Sequence, residues 1–171
     1  VVYVIRDPSL DPEPGSSPTP APSGTPQTPL SPWTTLASGD QVRTLVSDGT
    51  FVWAGTAAGG IVRWSPTSGS FSQYLAPQDG LRSNEVHGIA VGVAGTVWAA
   101  TARGVSRFTG LAWSAQQSDV SGAPDGPVRA ITADSSGQVW VGTEAGGLHM
   151  MQSGRWETIP PESLGLQGNW I

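Results

Sequence analysis

Short apolar segments recur with a constant spacing along the last three quarters of the chain. The segment Val52-Trp53-Ala54-Gly55-Thr56 returns in closely similar form at 97–101 and 139–143, so that its tryptophans lie 45 and then 42 residues apart. Three further markers keep the same period: an opening apolar residue, a glycine-containing turn and a closing aromatic. The opening residues are Val42, Val86, Val128 and Ile171. A repeat of this length indicates an array of equal structural units.

Each unit is predicted to form four short antiparallel strands. In the third unit, strands are expected at 128–133, 138–143, 147–152 and 155–159, because these segments are rich in β-branched and aromatic residues and are separated by Asp, Ser and Gly turns. No segment has the periodicity or length of a helix. The sequence therefore predicts an all-β fold.

Four strands every 42 to 45 residues is typical of a β-propeller blade. Apolar residues also occupy successive positions, as expected when both faces of a sheet are packed, whereas a sandwich would alternate more strictly. We predict about three four-stranded blades, at about 42–77, 86–119 and 128–160, with partial flanking blades and an incomplete ring. Such an open ring would need its remaining blades, or a second copy of the chain, to close.

The N-terminal part has a different composition. Nine of the fifteen prolines fall between Pro8 and Pro32, so residues 1–32 are predicted to form a disordered Pro/Ser/Thr-rich linker, with repeats filling 33–171. Trp33 to Leu36 is predicted to be a lone fourth strand. The apolar run 1–5 is either the end of a membrane anchor or signal segment, or simply the place where an arbitrary fragment boundary falls.

Composition and motifs exclude several functions. The net charge is -5 and the eight basic residues, all Arg, are scattered, so no basic footprint for nucleic acid exists. The chain lacks cysteine, a zinc-ligand histidine spacing, a phosphate-binding glycine loop, a calcium loop and a serine nucleophile motif. No catalytic residue, metal site or cofactor is predicted.

The segments 79–108 and 126–150 resemble two-component regulator propeller repeats, whose pattern reads GL.SN.V..I..D..G.LWVGT..GGL.R. The resemblance covers 33–171, with two departures: Ala100 stands for a glycine, and Arg103 stands for the first glycine of a pair. It implies the extracytoplasmic sensing part of a membrane-anchored histidine kinase, with circles of about six to eight blades. A kinase core is absent from this sequence.

One set of polar residues is predicted to lie at the rim of the central channel, where strand and loop ends converge. The residues that follow the opening apolar positions are Arg43, His87 and Arg129. The linkers and turns that reach the same face supply the others, which are Asn84, Glu85, Arg103 and Glu144. A ring of polar groups on a rigid scaffold suits ligand recognition. The alternative is that these side chains only solvate the rim or join neighbouring blades.

These observations lead to three hypotheses. The first is a non-enzymatic, periplasmic or extracellular sensor that binds a small molecule, sugar or peptide and is tethered to a membrane through its N-terminal side. The second is a propeller enzyme such as a lyase or glycosidase, in which His87 acts as general acid or base. The third is a structural or adhesive surface module.

Overall fold

The computed structural model describes residues 41–116, 122–144 and 147–160, positions 163 and 165, and the two strands 3–5 and 33–35. The chain divides into two compact units, Val1–Gly39 and Asp40–Ile171. Of the predicted linker at 1–32, residues 1–2 and 6–32 lie outside the described residues. The rim candidates all lie inside the described part of the second unit.

The first unit contains a two-stranded antiparallel sheet, formed by β1 (Tyr3–Ile5) and β2 (Trp33–Thr35). A strand is present at Trp33–Thr35, but the prediction of a lone fourth strand is wrong, because this strand pairs with the short apolar run at the N-terminus. That run falls within the predicted linker, so strand β1 is an addition to the predicted fold. Three β-branched or aromatic residues in a row suit an extended backbone, but they identify no pairing partner at a distance of thirty residues.

The described part of the second unit forms three four-stranded antiparallel sheets, each with its strands in sequence order. Blade 1 comprises β3 (Val42–Ser47), β4 (Val52–Thr56), β5 (Ile61–Trp64) and β6 (Phe71–Tyr74). Blade 2 comprises β7 (Val86–Val91), β8 (Val97–Thr101), β9 (Gly104–Phe108) and β10 (Trp113–Ala115). Blade 3 comprises β11 (Val128–Ala133), β12 (Val139–Thr143), β13 (Gly147–Gln152) and β14 (Arg155–Ile159).

The first strand of each blade is the innermost one. Strand β7 packs against both β3 and β11, while the later strands of each sheet lie progressively further from this contact. This arrangement is that of a β-propeller, and the predicted all-β propeller fold is confirmed. The described blades do not close into a ring.

Neighbouring blades are joined by two apolar clusters. The first joins Trp53 and Ile61 of blade 1 to Val97, Ala99 and other residues of blade 2. The second repeats the arrangement one blade further on, and joins Trp98 to Val139 and Val141 of blade 3. Because β8 is packed on both faces, all five of its residues are buried. This is the physical reason for the successive apolar positions in the sequence.

A buried threonine closes the second hairpin of every blade. The hydroxyl of Thr56 donates to the carbonyl of Gly60, and Thr101 and Thr143 make the same bond to Gly104 and Gly147, at Oγ1–O distances of 3.0, 2.8 and 3.1 Å. All three threonines are almost completely buried, so each hydroxyl needs an internal partner. The recurring threonine of the sequence repeat therefore has a structural role.

Asp48 organises the first hairpin of blade 1. Its Oδ1 accepts the backbone N–H groups of Thr50 and Phe51, and its Oδ2 accepts the indole N–H of Trp53 at 2.8 Å. Burial raises the pKa of the Asp48 carboxyl, but these hydrogen bonds outweigh it, and the charge of Arg63 adds to them, so the pKa lies below its usual value. Ionised Asp48 therefore stabilises the fold.

We expect this contribution to disappear in acid. Because the folded-state pKa of Asp48 is lower than the unfolded one, its stabilisation is complete above about pH 4 to 5 and is lost as pH falls through the folded value. Asp48→Asn should lower the free energy of unfolding by about 1 kcal/mol at pH 7, because water screens the partly exposed carboxylate. The difference from wild type should shrink toward pH 3 in urea titrations.

Asp134→Asn in blade 3 provides the comparison. Among the described residues, the carboxylate of Asp134 accepts hydrogen bonds from its own exposed turn, through Ser136 and Gln138, so its replacement should have the smaller effect at pH 7. A wild-type-to-Asp48→Asn difference that stayed constant from pH 7 to pH 3 would contradict the assignment.

Candidate functional site

The three predicted rim residues on the innermost strands occupy equivalent positions. In β3 the register passes from Val42 opposite Thr56 to Thr44 opposite Gly55, so that Arg43 is an extra residue without a partner of its own. The same shift brackets His87 in β7 and Arg129 in β11. A β-bulge of this kind re-aims the side chain of its extra residue and is common near functional sites. The bulges thus set the direction of all three side chains.

Glu85 links blade 1 to blade 2. Its Oε1 accepts a hydrogen bond from the guanidinium of Arg43 at 2.8 Å and lies 3.3 Å from Nε2 of His87. The hydrogen bond from Arg43 is the largest influence on the pKa of Glu85, and together with the contact to His87 it holds that pKa below its usual value. Glu85 is therefore a carboxylate at neutral pH.

His87 links blade 2 to blade 3. Its Nδ1 donates to the backbone carbonyl of Val128 at 2.7 Å, since a carbonyl can only accept. Its Nε2 lies 3.4 Å from a guanidinium nitrogen of Arg129 and also faces Glu85. A neutral ring accepts from Arg129, whereas a protonated ring donates to Glu85. The imidazole side chain is only 6% exposed.

Arg129 completes the series by an ion pair with Glu144, which lies on the turn after β12. Five of the seven predicted rim residues therefore form one continuous chain of polar contacts across three blades. Their order is Arg43, Glu85, His87, Arg129 and Glu144. The group contains two guanidinium groups and two carboxylates besides His87, and we name it the rim chain.

The other two predicted residues lie apart from the rim chain. Asn84 and Arg103 line an open cleft of about 350 Å³, together with Ala76, Pro77, Arg82 and Ser83. The cleft lies between the linker that connects blades 1 and 2 and the turn between β8 and β9. The seven predicted rim residues thus divide between two sites, the rim chain and the cleft. The two sites are neighbours in sequence, because Asn84 of the cleft directly precedes Glu85 of the rim chain.

Arg82 is a cleft residue that the sequence analysis did not single out. Its guanidinium donates to the carbonyl of Gln116 and to Asp125, both at 2.7 Å, and it fixes the linker against the next one. Gly104 makes room for this side chain: a Cβ at that position would lie 3.0 Å from Nε of Arg82. The glycine also has a φ of +114°, which other residues rarely adopt.

Neither a metal site nor a membrane-spanning helix is found in the described part of the chain. No group of three His, Asp or Glu side chains within those residues is placed to hold a metal ion. None of the helices there is long and apolar enough to cross a membrane.

The fold and the repeated blades define this protein as a β-propeller. Residues 122–145 match the family model described as the two component regulator propeller, which confirms the resemblance for the third repeat. That segment runs from the linker before blade 3 to the turn after β12. No curated protein matches the chain.

Several solved structures share the fold. One is the extracellular domain of the hybrid two component system BT3049 from B. thetaiotaomicron, with a TM-score of 0.63 and 19% identity over 74% of this chain and 19% of that one. Another is virginiamycin B lyase from Staphylococcus aureus, with a TM-score of 0.53 and 20% identity over 71% and 42%. A third is the computationally designed Ika4 protein, with a TM-score of 0.57 and 18% identity over 74% and 75%.

The chain spans about a fifth of the length of the first of these structures. At these identities the likeness establishes the propeller fold. The neighbours include both an extracellular domain of a two component system and an enzyme, so fold alone does not separate the two functions.

Proposed function

We propose that this protein is a sensor-type propeller, which binds a small molecule, sugar or peptide outside the cytoplasm as part of a two-component signalling protein. The match of 122–145 to the two component regulator propeller supports this class, as does the likeness to an extracellular domain of a two component system. The membrane tether on the N-terminal side belongs to the same proposal. No catalytic step is assigned to the chain.

The observation that carries the proposal is the gathering of polar groups from three blades at one end of the innermost strands. The ion pairs of the rim chain join side chains that are 39% to 44% exposed, and exposed pairs of this kind add little to stability. Three equivalent bulges turn these groups toward a common region. A polar array on a rigid all-β scaffold, adjoining a cleft, is suited to recognition.

The enzyme alternative depends on His87, for which the structure supplies a partner carboxylate, Glu85. A general base must reach a substrate proton. The ring of His87 is nearly buried, and both of its nitrogens face protein atoms, namely the carbonyl of Val128 and the side chains of Glu85 and Arg129. This geometry favours a structural link between blades over a base that is open to a substrate.

A thermal-shift screen of the full chain against pools of sugars, peptides and small metabolites tests the proposal. A ligand present at about 100 times its Kd stabilises the folded state by about 2.7 kcal/mol, which raises Tm by several degrees. We expect at least one pool to do so, and we expect Arg43→Ala or Arg129→Ala to reduce the shift. Absence of stabilisation by every pool, with these arginines replaceable without consequence, would count against a binding function.

A further inference from the structure

The cleft beside the rim chain is lined by hydrogen-bond donors. No described residue accepts a hydrogen bond from the guanidinium of Arg103, which lies exposed on the turn after β8. Asn84 uses its side-chain oxygen to accept the backbone N–H of Ala76 at 2.6 Å, which directs its NH₂ group away from that bond. Ser83 accepts the N–H of Glu85 through its hydroxyl oxygen, so the hydroxyl proton is available to a ligand.

The acceptors near this cleft are already used. The oxygen of Asn84 is taken by Ala76, and Glu85, the nearest carboxylate along the chain, is held by Arg43 and His87. Arg82 is paired with Asp125, whereas Arg103 has no acidic partner among the described residues. The cleft therefore keeps one uncompensated positive charge, whereas each arginine of the neighbouring rim chain is paired with a carboxylate.

Two of the polar side chains that line the cleft, Asn84 and Arg82, are held in place by the fold. Asn84 is fixed at both ends, because its side chain accepts from Ala76 and its backbone carbonyl accepts from Gly60 at 3.0 Å. Arg82 is fixed by Gln116 and Asp125. The cleft volume of about 350 Å³ lies within the range of small-molecule pockets, and the fixed side chains of Asn84 and Arg82 lose little entropy when a ligand binds.

We propose that this cleft binds an anionic oxygen group of a ligand, either a carboxylate or a sulfate or phosphate, through the guanidinium of Arg103 and the amide of Asn84. A planar guanidinium presents paired N–H donors that match two oxygens of such a group. The inference deepens the proposed function and rests on it, since it names the chemical class that a ligand of this propeller must carry. It places the charged end of the ligand in the cleft rather than on the rim chain.

Isothermal titration of the full chain with succinate, inorganic sulfate and inorganic phosphate tests this inference, at constant ionic strength held with chloride. Succinamide serves as the neutral counterpart of succinate. Arg103→Gln is the test variant, and Arg155→Gln, which removes an exposed arginine of blade 3, is the matched control. The three anions show whether carboxylate or tetrahedral oxyanions are preferred.

We expect saturable binding of at least one anion, weakened about tenfold or more by Arg103→Gln and changed less than about twofold by Arg155→Gln. Succinamide should bind about tenfold more weakly than succinate if the carboxylate is preferred. The inference would be overturned if the two variants lost equal anion affinity, or if succinamide bound as tightly as every anion. If no anion bound while a neutral compound from the thermal-shift screen did, the anionic class would be wrong and the sensor proposal would stand. If an anion bound at Arg103 while no organic compound in the screen bound, the anion site would stand and the sensor proposal would be wrong.

Discussion

Replacement of Trp53 by alanine should lower the free energy of unfolding by about 3 to 5 kcal/mol, a large part of the stability of a domain this size. Trp53 is 1% exposed and fills the space between blades 1 and 2. Its ring lies 5.1 Å from that of Phe108 and 6.0 Å from that of Trp113, both edge-on, and 6.3 Å from that of Tyr74. Loss of the ring opens a cavity between two rigid sheets, which can collapse only in part.

Urea unfolding monitored by circular dichroism measures the effect, and Phe71→Ala is its control. Phe71 is an aromatic of the same blade but is 59% exposed, so its removal should cost less than about 1 kcal/mol. If the two variants lost similar stability, the packing of Trp53 between the blades could not be what holds them together.

Replacement of Gly55 by alanine should have the second largest effect, about 1 to 3 kcal/mol, because it overpacks the same interface. A Cβ at this position would lie 2.6 Å from Cγ1 of Val86 and 2.6 Å from Cγ2 of Thr44. Both are branched side chains on the innermost strands of adjacent blades, and Val86 is fully buried. Neither can move far without shifting the backbone.

The double variant Gly55→Ala/Val86→Ala tests the cause of this loss. Removal of Cγ1 of Val86 relieves one of the two close approaches, so the double variant should lose less than the sum of the two single replacements. Ala100 occupies the corresponding position in blade 2 and is fully buried, which shows that the next interface accepts a methyl group there. If the loss in free energy of unfolding of the double variant equalled the sum of the two single losses, the overlap with Val86 would be contradicted.

The repeat made the blades predictable, because the strands and turns of each unit could be aligned with those of the other two. The third blade was placed to within one residue, with β12 beginning at Val139 rather than 138. The conserved spacing of the tryptophans also indicated packing between blades, which Trp53 and Trp98 show. The pairing of Tyr3–Ile5 with Trp33–Thr35 had no such internal template and was missed.

The candidate site was predictable in position and less so in detail. The residue after each opening valine could be assigned to the innermost strand from the repeat alone. The sequence did not show that this residue is the extra one of a bulge, since a bulge is a relation between two strands. Nor could it show that Glu85 lies between Arg43 and His87, because that contact depends on how one blade meets the next.

Arg82 and the cleft were missed for a similar reason. Arg82 lies in a linker, and its partners Gln116 and Asp125 are 34 and 43 residues further along the chain. Gly104 was the one sequence feature that could have indicated the position of Arg82, because its small size allows the arginine to cross the turn. A glycine in a repeat turn is, however, equally explained by its backbone conformation. Only the folded arrangement separates the two reasons.

The most direct test of the account is a map of amide chemical-shift changes in the full chain, recorded on titration with the strongest ligand from the thermal-shift screen. We expect saturable changes centred on the linker 82–87 and on Arg103, with smaller ones at Arg129 and Glu144. Changes confined to the outer strands β6, β10 and β14, or no saturable changes at all, would contradict ligand recognition at the rim and the cleft beside it.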